Sequence, residues 1–131
     1  MALTEKQAKL FTDKNHAWAT TLRPDGTPHS TVVWVDYDGE DVLFNTAKPR
    51  AKTKHLERDG RATVSVMDPE NPFNYISVTG PAEVTEEGAN DHIDKMAQKY
   101  TGQERYPWHQ PDETRVIVRV KPERVTGISP D

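Results

Sequence analysis

Two tight turns join three short segments rich in β-branched and aromatic residues in the first third of the chain. The turns are Arg23-Pro24-Asp25-Gly26 and Asp38-Gly39, and the segments cover 16–22, 28–37 and 41–46. Connections this short join antiparallel strands, because a parallel crossover needs about a dozen residues or more. The sequence therefore predicts an antiparallel three-stranded meander and argues against a parallel α/β sheet.

Three more strands follow in the hydrophobic pattern, over 61–67, over 75–84 and around Val118. We predict a loop at 68–72, because two prolines within five residues interrupt strand pairing, and a bend in the fifth strand at Gly80. Six antiparallel strands with short helices between them predict a mainly β fold. A small barrel is favoured, because closing the sheet removes exposed edges.

Three helices are predicted alongside these strands. They cover 4–14, 49–58 with its proline in the first turn, and 89–100. Thr4 and Gln7 stand at the spacing of a capping box, and Gly102 is placed to end the third helix. His92 is expected on the solvent-facing side of that helix, and the polar, aromatic segment 103–113 is expected to be a loop.

Composition limits the classes of protein to consider. The 131 residues fit one domain over 1–131, and 34% hydrophobic against 29% charged residues is lean enough that a partner subunit is expected to cover apolar surface. The absence of cysteine excludes disulfides, thiol catalysis and thiolate metal sites. No apolar run is long enough for a membrane span and no signal segment is recognisable, so we expect a cytoplasmic protein. The net charge of −4 argues against general nucleic-acid binding.

The common catalytic motifs are missing from the sequence. There is no Gly-x-Ser-x-Gly nucleophile elbow, no phosphate loop of the Walker type and no Gly-x-Gly-x-x-Gly fingerprint. The five histidines include no pair at helical i,i+4 spacing, and we therefore expect no metal site. No catalytic acid or base stands out from the pattern.

One segment concentrates positive charge in an otherwise acidic chain. From Lys48 to Arg61 there are six cations and two acids, giving a net charge of +4 against −8 for the rest. The segment begins where a strand ends and a helix starts, and we place Arg50, Lys52 and Thr53 in the first turn of that helix. Free backbone N–H groups and the helix dipole attract anions there, whereas cations alone are unfavourable. A phosphate site and a solvated charged helix face are the two interpretations left open.

The same segment carries a family resemblance. Lys48-Pro49-Arg50-Ala51-Lys52-Thr53-Lys54-His55-Leu56-Glu57-Arg58-Asp59-Gly60-Arg61-Ala62 resembles the phosphate-binding signature of the split β-barrel flavin and deazaflavin oxidoreductases, which include relatives of pyridoxamine 5′-phosphate oxidase. The flanking Asp25-Gly26-Thr27-Pro28 and the stretch from Tyr75 to Ala82 agree with this pattern. The chain looks closest to the actinobacterial branch that binds the deazaflavin coenzyme F420, and the resemblance extends from about residue 5 to 129.

The resemblance implies a split-barrel homodimer, of the type that binds FMN in other members, with cofactor sites at the subunit interface. It implies a phosphate cradle formed by Arg50, Ala51, Lys52 and Thr53. It implies that the ring and ribityl chain are bordered by Asn45, Thr46 and Ala47. The ring edge is expected to be lined by His29, Thr31, Val32 and Val33. The other subunit is expected to contribute Phe73 and Tyr75.

The function implied is an F420H2-dependent oxidoreductase that transfers a hydride from the reduced deazaflavin to a small electron-poor organic substrate. An FMN-dependent oxidase or reductase of the same fold and a non-catalytic carrier of F420 or flavin remain the alternatives. F420 has a lactyl-oligoglutamate tail beyond its phosphate, whereas FMN ends in a phosphomonoester. Lys48, Lys54 and Arg58 surround the predicted phosphate cradle and are the cations expected to favour such a tail.

Overall fold

The computed structural model of the chain describes residues 2–127, so Met1 and 128–131 of the predicted domain lie outside the described residues. This part holds three helices, namely α1 Glu5–Thr12, α2 Ala51–Arg58 and α3 Ala89–Thr101. Its eight strands are β1 Ala17–Leu22, β2 Pro28–Val33, β3 Val35–Tyr37, β4 Val42–Lys48, β5 Arg61–Asp68, β6 Asn71–Thr85, β7 Thr114–Val120 and β8 Arg124–Gly127.

All strand pairs are antiparallel, in the order β2-β1-β5-β6-β7-β4-β3, with β8 pairing the outer side of β6. Strand β6 is long enough to change partners, since its first part pairs with β5 and 82–85 pair with β7. Gly80 lies where this change occurs, and a Cβ there would stand 1.8 Å from the Lys121 carbonyl oxygen. The predicted antiparallel, mainly β split barrel is therefore confirmed as a fold class, and the long strand curls the sheet.

The predicted single strand 28–37 is wrong, because the chain breaks at Trp34. Strand β2 pairs with β1 and β3 pairs with β4, so the two pieces lie at opposite ends of the sheet. Side chains of α3 satisfy the backbone at the break: Val35 N donates to the Tyr100 hydroxyl at 3.1 Å, and the Lys99 ammonium donates to the Val35 carbonyl at 2.6 Å. The barrel thus has eight described strands rather than six, the other addition being β8.

Two further element boundaries differ from the predictions. The loop expected at 68–72 is a short turn between β5 and β6, and β6 accommodates Pro72 because the pairing register shifts between Met67 and Asp68. Helix α2 begins at Ala51, so Pro49 lies outside it, after a cis Lys48-Pro49 peptide bond. The first helix has the predicted capping box, and Gly102 ends α3 in the left-handed region with φ of 77°.

The apolar core fills the inside of the curled sheet. It is built from inward residues of both end strands and the central ones, including Val33, Val35, Phe44, Val64 and Val118. Helix α1 closes one side with two buried residues, Leu10 and Phe11. Alternate residues along each strand point inward, which explains why the β-branched pattern was readable from the sequence.

Helix α3 packs on the outer face of β4 and β7. Leu43, Ala89 and Ile117 form a small apolar cluster at this contact, and Met96 and Tyr100 extend it toward Trp34. Strand β4 is consequently buried on both faces, by the core on one side and by α3 on the other. Its end, where polar residues replace apolar ones, opens into the cleft described next. None of the described helices is long and apolar enough to cross a membrane.

Candidate functional site

A cleft of about 230 Å³ opens where β2 and β4 end and α2 begins. Helix α3 and the loop that follows it form the opposite wall. One half of the lining is polar and cationic, and comprises Asn45, Thr46, Arg50, Lys52 and Arg115. The other half is aromatic and aliphatic, and comprises His16, Val32, Val33, Trp34, Ile93, Tyr106 and Trp108. The cleft is therefore matched to a ligand that joins an acidic group to a flat apolar one.

Lys52 is the most informative residue of the polar half. Its side chain is buried, with the residue only 8% exposed, and its ammonium group donates to the Thr31 hydroxyl at 2.8 Å. No carboxylate within residues 2–127 forms an ion pair with it. Burial lowers the pKa of Lys52, and the neighbouring Arg50 and Arg115 lower it further. A buried cation close to two other cations is unfavourable by itself, and an anion bound in the cleft would offset the repulsion among them.

Arg50 stands at the N-cap of α2, not in its first turn as predicted, and its side chain is half exposed. Its guanidinium lies 3.6 Å from a carboxylate oxygen of Glu113. Arg115 comes from β7 and is 5% exposed, with its Nη1 3.5 Å from the other oxygen of Glu113. Burial lowers the pKa of Arg115, and Glu113 opposes that effect. Two guanidinium groups and one ammonium thus converge on the cleft.

A buried hydrogen-bond network orients Asn45 and Arg115. The Asn45 amide donates to the Ala89 carbonyl at 2.9 Å and to His92 Nδ1 at 3.1 Å, and its oxygen accepts from Arg115 Nε at 2.8 Å. Each polar atom of the Asn45 amide is therefore used, which leaves the rest of the guanidinium facing Glu113 and the cleft. The network therefore links β4, α3 and β7 at this end of the sheet.

The expectation that His92 is solvated on the helix surface is wrong. His92 is only 9% exposed because α3 turns this face onto the end of β4, where Asn45 supplies a hydrogen bond. Burial lowers its pKa to about 4. His92 is consequently neutral at physiological pH, and it does not add to the positive charge of the cleft.

Aromatic rings form the second wall of the cleft. Trp34 is stacked on Tyr100 at 5.3 Å between ring centroids, and Tyr106 meets Trp34 edge-on at 6.1 Å. Trp108 packs edge-on against Tyr106 at 5.6 Å and is half exposed. The Arg115 guanidinium lies 5.1 Å above the Tyr106 ring, which couples the aromatic wall to the cation cluster.

Six of the residues predicted to bind the cofactor line the cleft. They are Val32, Val33, Asn45, Thr46, Arg50 and Lys52. Thr31 lies behind them as the acceptor for Lys52. Thr53 is buried, and its hydroxyl donates to the Arg50 carbonyl at 2.7 Å, so it supports the N-cap. Ala51 is exposed beside the cap, and Ala47 lines a neighbouring groove together with Arg50.

The remaining predicted residues lie elsewhere in the described chain. His29 is half-buried, its ring 5.2 Å from that of His55, and its Nδ1 has no hydrogen-bond partner within residues 2–127. Phe73 and Tyr75 lie on β6 and are exposed, and neither lines the cleft of its own chain. Their predicted contribution to a partner's site stays a prediction.

Sequence reasoning did not single out the individual residues that the second half of the chain brings to the site. Glu113 comes directly before β7 and Arg115 lies within it, and Tyr106 and Trp108 lie in the loop that precedes this strand. The signal was the unusual pairing of aromatic and charged residues in a loop that leads into a buried strand. Within the described residues no three His, Asp or Glu side chains come together as a metal site.

A family model and several known proteins match this chain. The family model described as pyridoxamine 5′-phosphate oxidase matches residues 3–129. The chain belongs to the pyridoxamine 5′-phosphate oxidase family. The match confirms the resemblance carried by the basic segment, and it covers both halves of the cleft.

Several known proteins are similar to this chain over nearly its whole length. The F420H(2)-dependent biliverdin reductase of Mycobacterium tuberculosis is 28% identical over 130 residues, which cover 95% of this chain and 88% of that protein. A solved structure named F420 Reductase is 27% identical with a TM-score of 0.81, covering 95% of this chain and 98% of that one. General Stress Protein 26 from Bacillus anthracis, at 19% identity, has a TM-score of 0.73 over 97% of this chain and 94% of its own, and shows the fold alone.

Proposed function

We propose that this protein is an F420H2-dependent reductase that acts on a small electron-poor organic substrate. The observation that carries the proposal is the buried ammonium of Lys52, which lines the same cleft as the guanidinium groups of Arg50 and Arg115, opposite an aromatic wall. Two of the similar proteins, the F420H(2)-dependent biliverdin reductase and the F420 Reductase, have F420 in their names, which supports the same cofactor here. The substrate is a small molecule that binds in addition to the cofactor. We propose neither a nucleic acid nor a membrane as a partner.

The donors of the cleft fit a phosphate-bearing cofactor. Thr46 Oγ1 is buried in the lining and has no hydrogen-bond partner within residues 2–127, and the Lys52 ammonium makes one hydrogen bond where it can donate three. Arg50 and Lys52 would hold the phosphate, one as a planar fork and the other as a point charge. Asn45, Thr46 and the ends of β2 and β4 would border the ring and its side chain.

When bound, reduced F420 supplies a hydride to an electron-poor acceptor. The residues of this chain bind and orient the cofactor and the acceptor. Val32 and Val33 give an apolar edge, and Trp34 and Trp108 exclude water from the other side of the cleft. His92, neutral and buried behind Asn45, positions that amide and does not act as an acid at physiological pH. No side chain of the cleft is proposed as a proton donor.

FMN is the alternative cofactor, because the same three cations suit a phosphomonoester and the family description names an oxidase. The preference for F420 rests on the two similar F420-dependent proteins and on cations beyond the cradle. Of those cations, Lys48 is paired with Glu86 at 3.2 Å and Arg58 donates to the Leu22 carbonyl at 2.5 Å. Lys54 is exposed on α2, and we propose it as the cation that meets an acidic tail.

We further propose a homodimer with the cofactor at the subunit interface. Trp18, Val32, Met67 and Tyr75 are exposed on one outer face of the sheet, where Trp18 pairs with Val32 and Met67 pairs with Tyr75. Phe73, 73% exposed, extends the same strand. A face with five exposed large apolar side chains on a small protein is typical of an interaction surface, and a second copy of the chain would cover it.

Equilibrium titration of the purified protein with F420, FMN and FAD tests the proposal. Trp34 and Trp108 line the cleft, so ligand binding there should quench tryptophan fluorescence. We expect F420 to bind more tightly than either flavin, and reduced F420 to be oxidised when an electron-poor acceptor is added. Tight F420 binding without turnover on any acceptor would favour the carrier alternative, and a protein purified yellow with FMN would favour the flavin enzyme.

A further inference from the structure

Within residues 2–127, the carboxylate of Glu113 contacts both guanidinium groups of the cleft, those of Arg50 and Arg115. Its Oε2 lies 3.6 Å from Arg50 Nη2, and its Oε1 lies 3.5 Å from Arg115 Nη1 and 3.2 Å from His109 Nδ1. The Glu113 side chain is only 5% exposed. Water therefore screens the charge of Glu113 weakly. The electrostatic effect of this carboxylate extends into the cleft, because Arg50 and Arg115 contact it on one side and line the cleft on the other.

Glu113 forms ion pairs with both arginines, but one of its oxygens lacks a hydrogen bond in the described part of the chain. Its Oε2 is buried and accepts no hydrogen bond within residues 2–127, because the Arg50 guanidinium is too distant for one. Arg50 itself is half exposed and is one of the two residues assigned to the phosphate. The negative charge of Glu113 therefore repels negative charge on a phosphate bound at Arg50.

The two cofactors under consideration differ in phosphate charge. The phosphate of F420 links two organic groups and is a diester with one negative charge. The phosphate of FMN is a monoester, and since its second pKa is about 6 it carries close to two negative charges at neutral pH. Three cations attract both forms, whereas a fixed carboxylate beside them repels the second charge of the monoester.

We propose that Glu113 is a specificity-determining residue, which disfavours doubly charged phosphate monoesters relative to singly charged phosphate diesters. Discrimination between similar ligands commonly needs such a repulsive group beside the attractive ones. The inference rests on the proposed function, since it assumes that the phosphate binds at Arg50 and Lys52. The charge of the phosphate is then the feature by which this site distinguishes its ligands. The basic signature alone does not distinguish them, because both F420 and FMN proteins have it.

The test compares FMN with its phosphate methyl ester, two ligands that share a ring and differ by one charge. Dissociation constants for both are measured by fluorescence titration with the wild type, Glu113→Gln and Glu113→Asp. The reference is the wild-type ratio of two dissociation constants, that of FMN divided by that of its methyl ester. Glu113→Gln keeps the shape and removes the charge, and we expect it to lower this ratio about tenfold, the scale of a like charge within 6 Å.

Glu113→Asp retains the charge but withdraws it from Arg50 by one methylene group, so the ratio should fall by a smaller factor. If circular dichroism shows that Glu113→Gln does not fold, this smaller fall decides the matter. Glu123→Gln is the matched control, because Glu123 is exposed and pairs with Arg61 away from the cleft. It should leave the ratio unchanged.

An unchanged ratio in the folded Glu113 variants would overturn the inference, even if both ligands bind. Parallel weakening of FMN and its methyl ester would also overturn it, because Glu113 would then only position the arginines. If the wild type binds neither ester nor F420, the proposed function fails and the inference fails with it. A fall in the ratio that is specific to position 113 supports the assignment.

Discussion

At the scale of single residues, burial changes what a side chain contributes to this protein. The sequence pattern predicts that His92 is a surface residue, yet it is buried on the inner face of α3, with its Nδ1 accepting from Asn45. Its Nε2 is buried and has no hydrogen-bond partner within residues 2–127. Protonating this ring would place a charge among buried groups, and this cost explains the lowered pKa.

This burial predicts a pH dependence of stability. The pKa of His92 falls from 6.5 in the unfolded chain to about 4 in the folded protein, so between these values the unfolded state binds more protons. The stability that neutral His92 contributes is complete above pH 6.5 and is lost as the pH falls toward 4. By pH 5 we expect the wild type to lose about 2 kcal/mol through this group.

Urea unfolding at pH 7.5 and pH 5 measures that loss, with His92→Gln as the reference. Glutamine keeps an acceptor for Asn45 but does not titrate, so the variant should lose less stability than the wild type over this interval. Equal losses for the two proteins would show that His92 is not the group responsible.

How much of the site the sequence predicts depends on how local its residues are. Arg50 and Lys52 are recognisable because a strand end, a helix start and their charges lie within a few positions. Arg115 is 70 residues from Asn45 along the chain, and only the pairing of β4 with β7 brings them to 2.8 Å. No local pattern marks such a contact, so the sequence did not assign Arg115 to the site.

At the scale of elements, the prediction succeeded where the chain's own turns decide the structure. The β1–β2 hairpin, the β3–β4 hairpin, the three helices and the capping box follow from nearby residues. The break at Trp34 does not, because Tyr100 stabilises it from 65 residues away. The β-branched pattern of 28–37 is compatible with one long strand, and tertiary hydrogen bonds override it.

The end of α3 gives a stability prediction for a helix cap. Gly102 has φ of 77°, and a Cβ there would meet no atom within 4 Å. The cost of Gly102→Ala is therefore one of backbone conformation alone, about 1 kcal/mol. Gly60→Ala is the control, since its backbone is not in the left-handed region and its new methyl group would make ordinary contacts at 3.8 Å.

Thermal or urea unfolding of the two alanine variants checks this difference. We expect Gly102→Ala to be less stable than the wild type and Gly60→Ala to be equal to it or slightly more stable. A Gly102→Ala variant as stable as Gly60→Ala would contradict the left-handed cap.

At the scale of the whole molecule, the exposed apolar face predicts assembly. Light scattering at micromolar concentration should give twice the chain mass of 14.8 kDa, about 30 kDa. Met67→Glu places a charge in the middle of this face and should give monomers. Asn90→Glu adds the same charge on the exposed side of α3 and should leave the dimer intact. A wild-type monomer that binds cofactor tightly would contradict the proposed interface.

Lys52→Met removes the buried cation that is proposed to hold the acidic cofactor and that has no ion-pair partner within residues 2–127. We expect this variant to bind F420 at least about tenfold more weakly, as for the loss of a hydrogen bond to a charged group. We also expect a free energy of unfolding no lower than that of the wild type, because a buried charge is removed. Lys121→Met removes an exposed cation elsewhere and should alter neither quantity. Unchanged F420 affinity in a folded Lys52→Met protein would contradict the account.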